Sequence, residues 1–490
     1  MKCAWGACVA LCAGLLAGCS MAPDYHVPET VTPSAFKEAG MWEKATPEDS
    51  FPKGAWWSIY RDTTLDDLET RLGHDSPELD TELQRYDEAR AYVAEADAGM
   101  YPTIGATWNP TWDRQSNNRP LRGANEPDIY YSDTLGGSVN YELDLWGAVR
   151  NSVAAGKARA ESAAALLAAA RLSLETDLAN NYASLRGLDS QLLLLNDTVA
   201  AYQKAYNLIV LRHSGGVASG VDLGRAATQL HDAQAQLSGV MAQRALYEHA
   251  IATLIGEPAS DFSLAAEPAV MKVPDVPVGL PSTLLERRPD VAAAERNVAA
   301  ANAEIGVARA AFYPNITLAG VLGVQNMGGP GLLSAPNLFW SLGPNVAMTF
   351  FEGGERHAQL DLAKAEKNAA ADTYRVEVLQ AFQDVEDNLA LLTHLAQASA
   401  EQTLAVTAAR RTEDLALARY RLGAVNYLEV VTAQTAALDA QQTALDLDTR
   451  RVEASIRLVK AIGGGWTTSE LPHLARNDPA ITPSAAKPGE

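Results

Sequence analysis

Thr103-Ile104-Gly105-Ala106-Thr107-Trp108-Asn109-Pro110-Thr111-Trp112 reads as a strand with two unlike faces. Ile104, Ala106, Trp108 and Trp112 stand on one side, and Thr103, Thr107, Asn109 and Thr111 on the other. Working outward, Leu135, Val139, Tyr141, Leu143 and Leu145 alternate with Thr134, Ser138, Asn140, Glu142 and Asp144. Ile316, Leu318, Leu322 and Val324 repeat the pattern against Asn315, Thr317 and Gly323. A last run sets Trp340, Leu342, Val346, Met348 and Phe350 against Ser341, Asn345 and Thr349. These are four strands in two hairpins, joined by Gly/Pro/Asn-rich loops at Asn117 to Pro127 and Met327 to Asn337. The runs are long for globular strands, which usually have about five or six residues. Trp108, Trp112, Tyr141, Trp340 and Phe350 lie on the apolar faces, mostly near strand ends, as an interfacial girdle would. A lipid-exposed sheet must close, because every backbone group needs a partner there, and barrels begin at about eight strands. Four strands per chain therefore call for several copies, and a cyclic trimer supplies three times four, or twelve.

The rest of the chain is helical and duplicated. Ala98-Gly99-Met100-Tyr101-Pro102 has a counterpart in Ala310-Ala311-Phe312-Tyr313-Pro314. Gly216-Val217-Ala218 before Val221-Asp222-Leu223 matches Gly423-Ala424-Val425 before Leu428-Glu429-Val430, and Leu254-Ile255-Gly256 matches Ala461-Ile462-Gly463. Fixed-offset repetition of this kind marks one unit written twice. Gly147 to about His213 and Gly354 to about Arg421 are proline-free and rich in Ala, Leu, Arg, Glu and Gln, which predicts helices of about 100 Å at ~1.5 Å per residue. Shorter partners, about Asp222 to Ile255 and Tyr427 to Ile462, return antiparallel. Alanine-rich helices this long pack side by side in coiled-coil fashion.

The N-terminus carries an address. Lys2, the apolar run Ala7 to Ala17 and the string Leu16-Ala17-Gly18-Cys19 form a secretory signal whose end resembles the bacterial lipobox. Cys19 is then the lipidated first residue of the mature chain. Cys3, Cys8 and Cys12 fall in the removed part, so no intramolecular disulfide can form. Ser20, where an aspartate is absent, favours sorting to the outer membrane by the same resemblance. The expected organisation is a leader over 1–18, a lipidated arm over 19–64, and a first repeat over 65–256 with its hairpin at about 102–146 and helix pair at about 147–255. A Pro-rich linker over 257–281 leads to a second repeat over 282–465, with its hairpin at about 314–351 and helix pair at about 354–462, and an irregular tail over 466–490.

Composition excludes several classes. With 39 basic and 60 acidic residues the net charge is −21, against the basic stripes that nucleic-acid binding uses. No stretch reaches the ~18 apolar residues of a spanning helix. There is no His-Glu-x-x-His, no Gly-x-Ser-x-Gly and no phosphate loop, and the eight histidines are scattered, so neither an enzyme nor a metal site is expected.

Leu284-Leu285-Glu286-Arg287-Arg288-Pro289-Asp290, then Ala294-Glu295-Arg296 and Ile305-Gly306-Val307-Ala308-Arg309, resembles the hallmark of TolC-type outer-membrane factors. The match is to the lipoprotein branch serving resistance-nodulation-division pumps. Pro23-Asp24-Tyr25, Trp56-Trp57 with Leu65-Asp66-Asp67-Leu68, and Arg419-Tyr420-Arg421 with Tyr427-Leu428-Glu429-Val430 resemble further motifs of that branch. The resemblance implies a mainly α fold with a transmembrane part: a trimeric twelve-stranded β-barrel continuous with a long periplasmic α-helical barrel. It also implies an exit channel for small molecules or drugs, with no cofactor beyond the lipid on Cys19. The implied partners are two further copies, a periplasmic adaptor, an inner-membrane resistance-nodulation-division transporter and outer-membrane lipid.

Carried onto this chain, the family's periplasmic gate falls on Leu428 as the hydrophobic position and Glu429 as an acidic one. Its second acidic position falls on Thr432, a departure, with Asp222 of the first copy as a substitute source of charge. A solvated helix face is the alternative reading of Glu429. The adaptor-contacting tips fall on Gly216, Val217 and Ala218 and on Gly423, Ala424 and Val425, where glycine also serves ordinary turn chemistry. A type I secretion duct and a non-conducting structural lipoprotein are the alternatives. The lipobox and the Arg-Arg-Pro-Asp block weigh against the first, and the two-faced strands against the second.

Overall fold

A pleated strand turns successive side chains to opposite sides, so pairing four alternating runs in phase gathers their apolar residues on one face. The computed structural model, which describes residues 20–39, 54–116, 118, 127–268, 271–274, 287–328 and 331–467, has that arrangement. Strands β1 (Thr103–Arg114), β2 (Ile129–Glu142), β3 (Asn315–Asn326) and β4 (Leu338–Ala347) form one antiparallel sheet in the order β1-β2-β3-β4. The register puts Trp108 beside Leu135, Leu135 beside Val324 and Val324 beside Leu338. Two rows further on it puts Ile104 beside Val139 and Gly320 beside Leu342. Ile104, Trp108, Trp112, Leu322, Trp340, Leu342 and Val346 are all exposed on the isolated chain. From the Trp108 row to the Ile316–Val346 row is eight residues along the strand, about 27 Å at ~3.4 Å per residue. Tilted by about 40°, that projects to about 21 Å, most of the ~25 Å apolar band of outer-membrane barrels. Beyond the Trp108 row a polar row intervenes, where Asp133 accepts a hydrogen bond from Trp108 Nε1 at 2.6 Å, and the aromatic pair Trp112–Tyr131 follows it.

The girdle expected from sequence needs correction at two residues. Trp108 sits in the middle of β1, and Phe350 lies past the end of β4, as does Met348. The ladder stops at Ala347 because its partner Asn315 is the first residue of β3, so alternation continues there without pairing. Leu143 and Leu145 likewise fall beyond β2; Leu143 N–H makes a last bond to Ile316 O (2.8 Å) before the chain turns.

The helices are α1 (Thr63–Asp75), α2 (Pro77–Ala98), α3 (Ala148–Ser214), α4 (Gly220–Leu254), α5 (Pro289–Ala310), α6 (Glu355–Arg421) and α7 (Tyr427–Ala461). The two copies match in length: 67 residues for α3 and α6, 35 for α4 and α7, and 22 for α2 and α5. No helix of the described residues is long and apolar enough to cross a membrane. α3 packs against α2, α4, α5 and α7, while α6 packs against α5 and α7. One flank of the chain thus ends in β1 with α2 and α4, and the other in β4 with α6.

Glycine is required where each copy closes on itself. Gly256 (φ +75°) and Gly463 (φ +91°) follow α4 and α7. A Cβ there would fall 2.3 Å from Asp75 O and 2.0 Å from Arg287 O, each two residues before the proline that opens α2 or α5. A left-handed backbone and a close approach together leave no room for a side chain. Arg288 of the Arg-Arg-Pro-Asp block is buried beside this closure. It pairs with Asp290 (2.6 Å) and Asp384 (3.0 Å) and donates to Ala461 O (3.3 Å), tying α5, α6 and the end of α7 together.

The largest core lies midway along the long helices, where Trp56, Leu65, Leu68 and Leu72 pack on Leu178, Tyr182, Leu185, Val385, Leu389 and Ile456. Polar groups fix its geometry: Trp56 Nε1 donates to Glu175 Oε2 (3.0 Å), and Tyr182 OH to Asp62, which also caps α1. Glu69 is buried with neither carboxylate oxygen hydrogen-bonded among the described residues. Burial first, and the charge of Glu175 second, hold its carboxyl well above the ordinary glutamate range. An acid whose folded pKa is raised is favoured when protonated, so its contribution is full below the ordinary glutamate pKa and is lost as pH rises towards the folded one. Glu69→Gln, which mimics the protonated form, is expected to raise the melting temperature at neutral pH and to change it much less at acid pH. Thermal melts at both pH values would check this.

Candidate functional site

The two helix pairs turn side by side at the end remote from the sheet, and each turn is built from the same parts. After α3, Gly216 (φ +75°) lets Val217 and Ala218 N–H bond Arg212 O at 2.8 and 3.1 Å. After α6, Gly423 (φ +74°) lets Ala424 N–H bond Arg419 O at 2.9 Å. Val425 completes that turn before Asn426 caps α7. Ser219 caps α4 by accepting from Asp222 N–H (3.1 Å), and Asn426 caps α7 by accepting from Glu429 N–H (3.2 Å). Between the turns Ile209, Ala226, Tyr427 and Val430 are buried together. The Arg212 guanidinium lies 4.9 Å from the Tyr420 ring centroid, and the Tyr420 and Tyr427 rings are 5.4 Å apart. Burial pushes the Tyr427 hydroxyl up to about 12, so it is neutral at any physiological pH.

The residues predicted from sequence divide by orientation. Tyr427 and Val430 face the neighbouring pair, so Leu428, Glu429 and Thr432 lie away from that buried seam. Leu428 is 44% exposed. Thr432 Oγ1 donates to Leu428 O (2.9 Å), spending its hydroxyl on its own helix. Asp222 is engaged in the capping box with Ser219 and sits 3.9 Å from Arg225. Glu429 lies 3.7 Å from Arg419 of the preceding helix.

Sequence reading missed three contributors: Val221, Leu422 and the counter-charge Arg419. Val221, 61% exposed, occupies in the first copy the place of Leu428, and the offset of 207 between copies (428 less 221) could have identified it. Leu422, at 85%, is even more exposed than the predicted tip residue Val217, at 78%. Arg419 is the counter-charge of Glu429, ten residues away across a turn, and no spacing rule reveals it. Among the described residues no cluster of His, Cys, Asp and Glu could hold a metal ion. Cys19, the leader before it, Leu284 to Glu286 and the tail beyond 467 lie outside the described residues, as do parts of the arm (40–53) and of the linker (275–281).

An apolar-faced sheet of outer-membrane proportions, continuous with paired helices about 100 Å long that end in capped turns, defines a membrane-anchored duct component rather than a compact globule. Comparison with known proteins agrees. The family model described as outer membrane efflux protein matches residues 72–257 and again 280–464, once for each copy. The chain belongs to that family. It is 30% identical to the toluene efflux pump outer membrane protein TtgC of Pseudomonas putida over 94% of this chain and 95% of that one. It is also 30% identical to the outer membrane protein OprJ of Pseudomonas aeruginosa, over 95% and 97%. Among solved structures it superposes on the outer-membrane channel OprN with a TM-score of 0.85 at 25% identity, covering 91% of this chain and all of that one. It superposes on CusC with 0.79 at 26% identity, again over 91% and 100%. The Campylobacter jejuni CmeC channel, at 22% identity and a TM-score of 0.87 over 92% and 96%, shares the fold.

Proposed function

We propose that this chain is the outer-membrane exit duct of a tripartite efflux pump, and that three copies close into one channel. The observation that carries this reading is the sheet itself. Its apolar face is continuous, yet β1 and β4 each keep one side unpaired within the chain. Unpaired edges are not viable in hydrocarbon, so β4 of one copy must meet β1 of the next, and α6 must meet α2 and α4. Exposed aliphatic residues on those flanks support this, including Leu379 and Leu404 of α6 and Met241 and Leu246 of α4. Cys19 carries the lipid that fixes the arm to the periplasmic leaflet. No chemistry is performed and no cofactor is used. An inner-membrane resistance-nodulation-division transporter selects and drives the cargo, and a periplasmic adaptor seats on the tips formed by Gly216 to Ala218 and Gly423 to Val425. The exposed Val217 and Leu422 suit such a seat.

The gate is a ring of Leu428 with Glu429 beside it, and Arg419 moderates the charge of that ring. Removing the carboxylate leaves Arg419 unbalanced, adding a positive charge per copy at the constriction. In planar bilayers under a salt gradient, Glu429→Ala is therefore expected to shift the reversal potential towards anion preference relative to wild type. Identical reversal potentials would take Glu429 off the conduction path. Inserted trimers that give no conductance steps even when Leu428→Ala removes the hydrophobic ring of the gate would contradict the conduit.

A further inference from the structure

On the apolar face of the sheet a trough of about 580 Å³ crosses all four strands. Its floor is Gly137 of β2 and Gly320 of β3, and its walls are Ile104, Val139, Leu322, Trp340 and Leu342. The register explains the shape. Gly137 lies opposite Leu322 and a Cβ there would meet only backbone at 3.8 Å or more, so its missing side chain opens the gap, while Val139 and Leu342 lean over Gly320 beside it and form the wall. The gap has almost no polar lining, and its floor lies on the two central strands of one chain.

The start of the described chain points at it. Descending in residue number, the arm climbs α5: Tyr25 OH donates to Glu295, Asn302 Nδ2 donates to Pro23 O (2.8 Å), and Arg309 Nη1 to Met21 O (3.2 Å). At Gly306 a Cβ would fall 2.8 Å from Ala22 N, so the arm lies directly on the helix. Ser20 Oγ then donates to Asn151 Oδ1 (2.8 Å) in the first turn of α3. α3 begins just after β2 and α5 ends just before β3, and these are the two strands that floor the trough. Ser20 is thereby held at the junction beneath it, and Cys19 is the next residue. From the start of β3 to Gly320 is five residues, about 17 Å at ~3.4 Å per residue. That is close to the ~15 Å depth of one leaflet of a ~30 Å hydrocarbon core.

We infer that the trough is the seat of an acyl chain carried by Cys19, so that the lipid anchor packs on the wall of its own barrel instead of dissolving in the surrounding bilayer. This rests on the lipidation proposed above. A chain attached at a fixed point below the trough has already lost most of the freedom that a free lipid would surrender on binding, which favours it over a phospholipid of the same chemistry.

The test is photocrosslinking in membranes of the full-length protein made in its bacterial host, with p-benzoylphenylalanine replacing Leu342 in the trough or Trp112 outside it. The mass of the N-terminal peptide is read first. A peptide without acyl chains on Cys19 would overturn the lipidation reading and this inference with it. With Cys19 acylated, crosslinks from position 342 to the acylated N-terminal peptide are expected, and none from position 112. Gly137→Val fills the trough from a position where a Cβ meets only backbone at 3.8 Å or more, and should abolish the crosslink. Crosslinks from 342 to phospholipid alone, or equal yields from 342 and 112, would overturn the inference while leaving lipidation intact.

Discussion

Asp189→Ala is expected to cost about 3–5 kcal/mol of stability, the usual price of breaking a buried ion pair from one side. Asp189 is fully buried between two arginines. Arg186 Nη1 donates to Oδ2 at 3.0 Å and Arg244 Nε to Oδ1 at 2.6 Å. The same guanidinium groups reach the chain between the two copies, Arg186 to Ala265 O (2.9 Å) and Arg244 to Leu264 O (2.7 Å), while Glu267 N–H donates to Asp189 itself (3.0 Å). Glu248 pairs with Arg244 (3.1 Å) and accepts from Leu264 N–H (2.5 Å). Without Asp189 two guanidinium groups remain desolvated with fewer partners, and the connection around residues 264–267 loses its anchor on α3. Denaturation followed by helix circular dichroism would report the loss of stability. Limited proteolysis should then cut near Leu264 before it cuts the long helices.

Leu342→Arg should be nearly as damaging, by about 2–4 kcal/mol, because a charge on the lipid face near mid-membrane has no favourable environment. Its neighbour Ser341 points to the other face, where Ser341→Arg should change stability by no more than about 0.5 kcal/mol, as expected for an exposed position. Refolding into lipid vesicles at graded urea would measure both. Equal costs for the two substitutions would show that the apolar face does not meet lipid.

Much of this was legible in the sequence because the faces of each strand meet different solvents, and alternation is the direct record of that difference. The ends of the long helices were legible for a local reason: glycines at 147, 354, 216 and 423 take left-handed backbone beside them. Alternation overran at Met348 and Phe350, since side-chain parity persists after the pairing partner runs out. Asp222 was read as a source of gate charge; its carboxylate also closes a capping box, a use that Ser219 three residues earlier already signals. The Asp189 cluster was not legible at all. Its members come from α3, α4 and an irregular segment, and nothing in their spacing brings them together before the helices pack. The pairing of Arg419 with Glu429 is hidden in the same way, because it depends on how the α6–α7 turn folds back.

The account stands most directly on the stoichiometry of the membrane-inserted protein, since four strands with two free edges are read as one third of a barrel. Native mass spectrometry of the detergent-extracted protein is expected to give a single species of three chains, each carrying the mass of its lipid. A folded single chain, stable in detergent and able to insert into lipid unaided, would contradict the closure of the sheet by further copies.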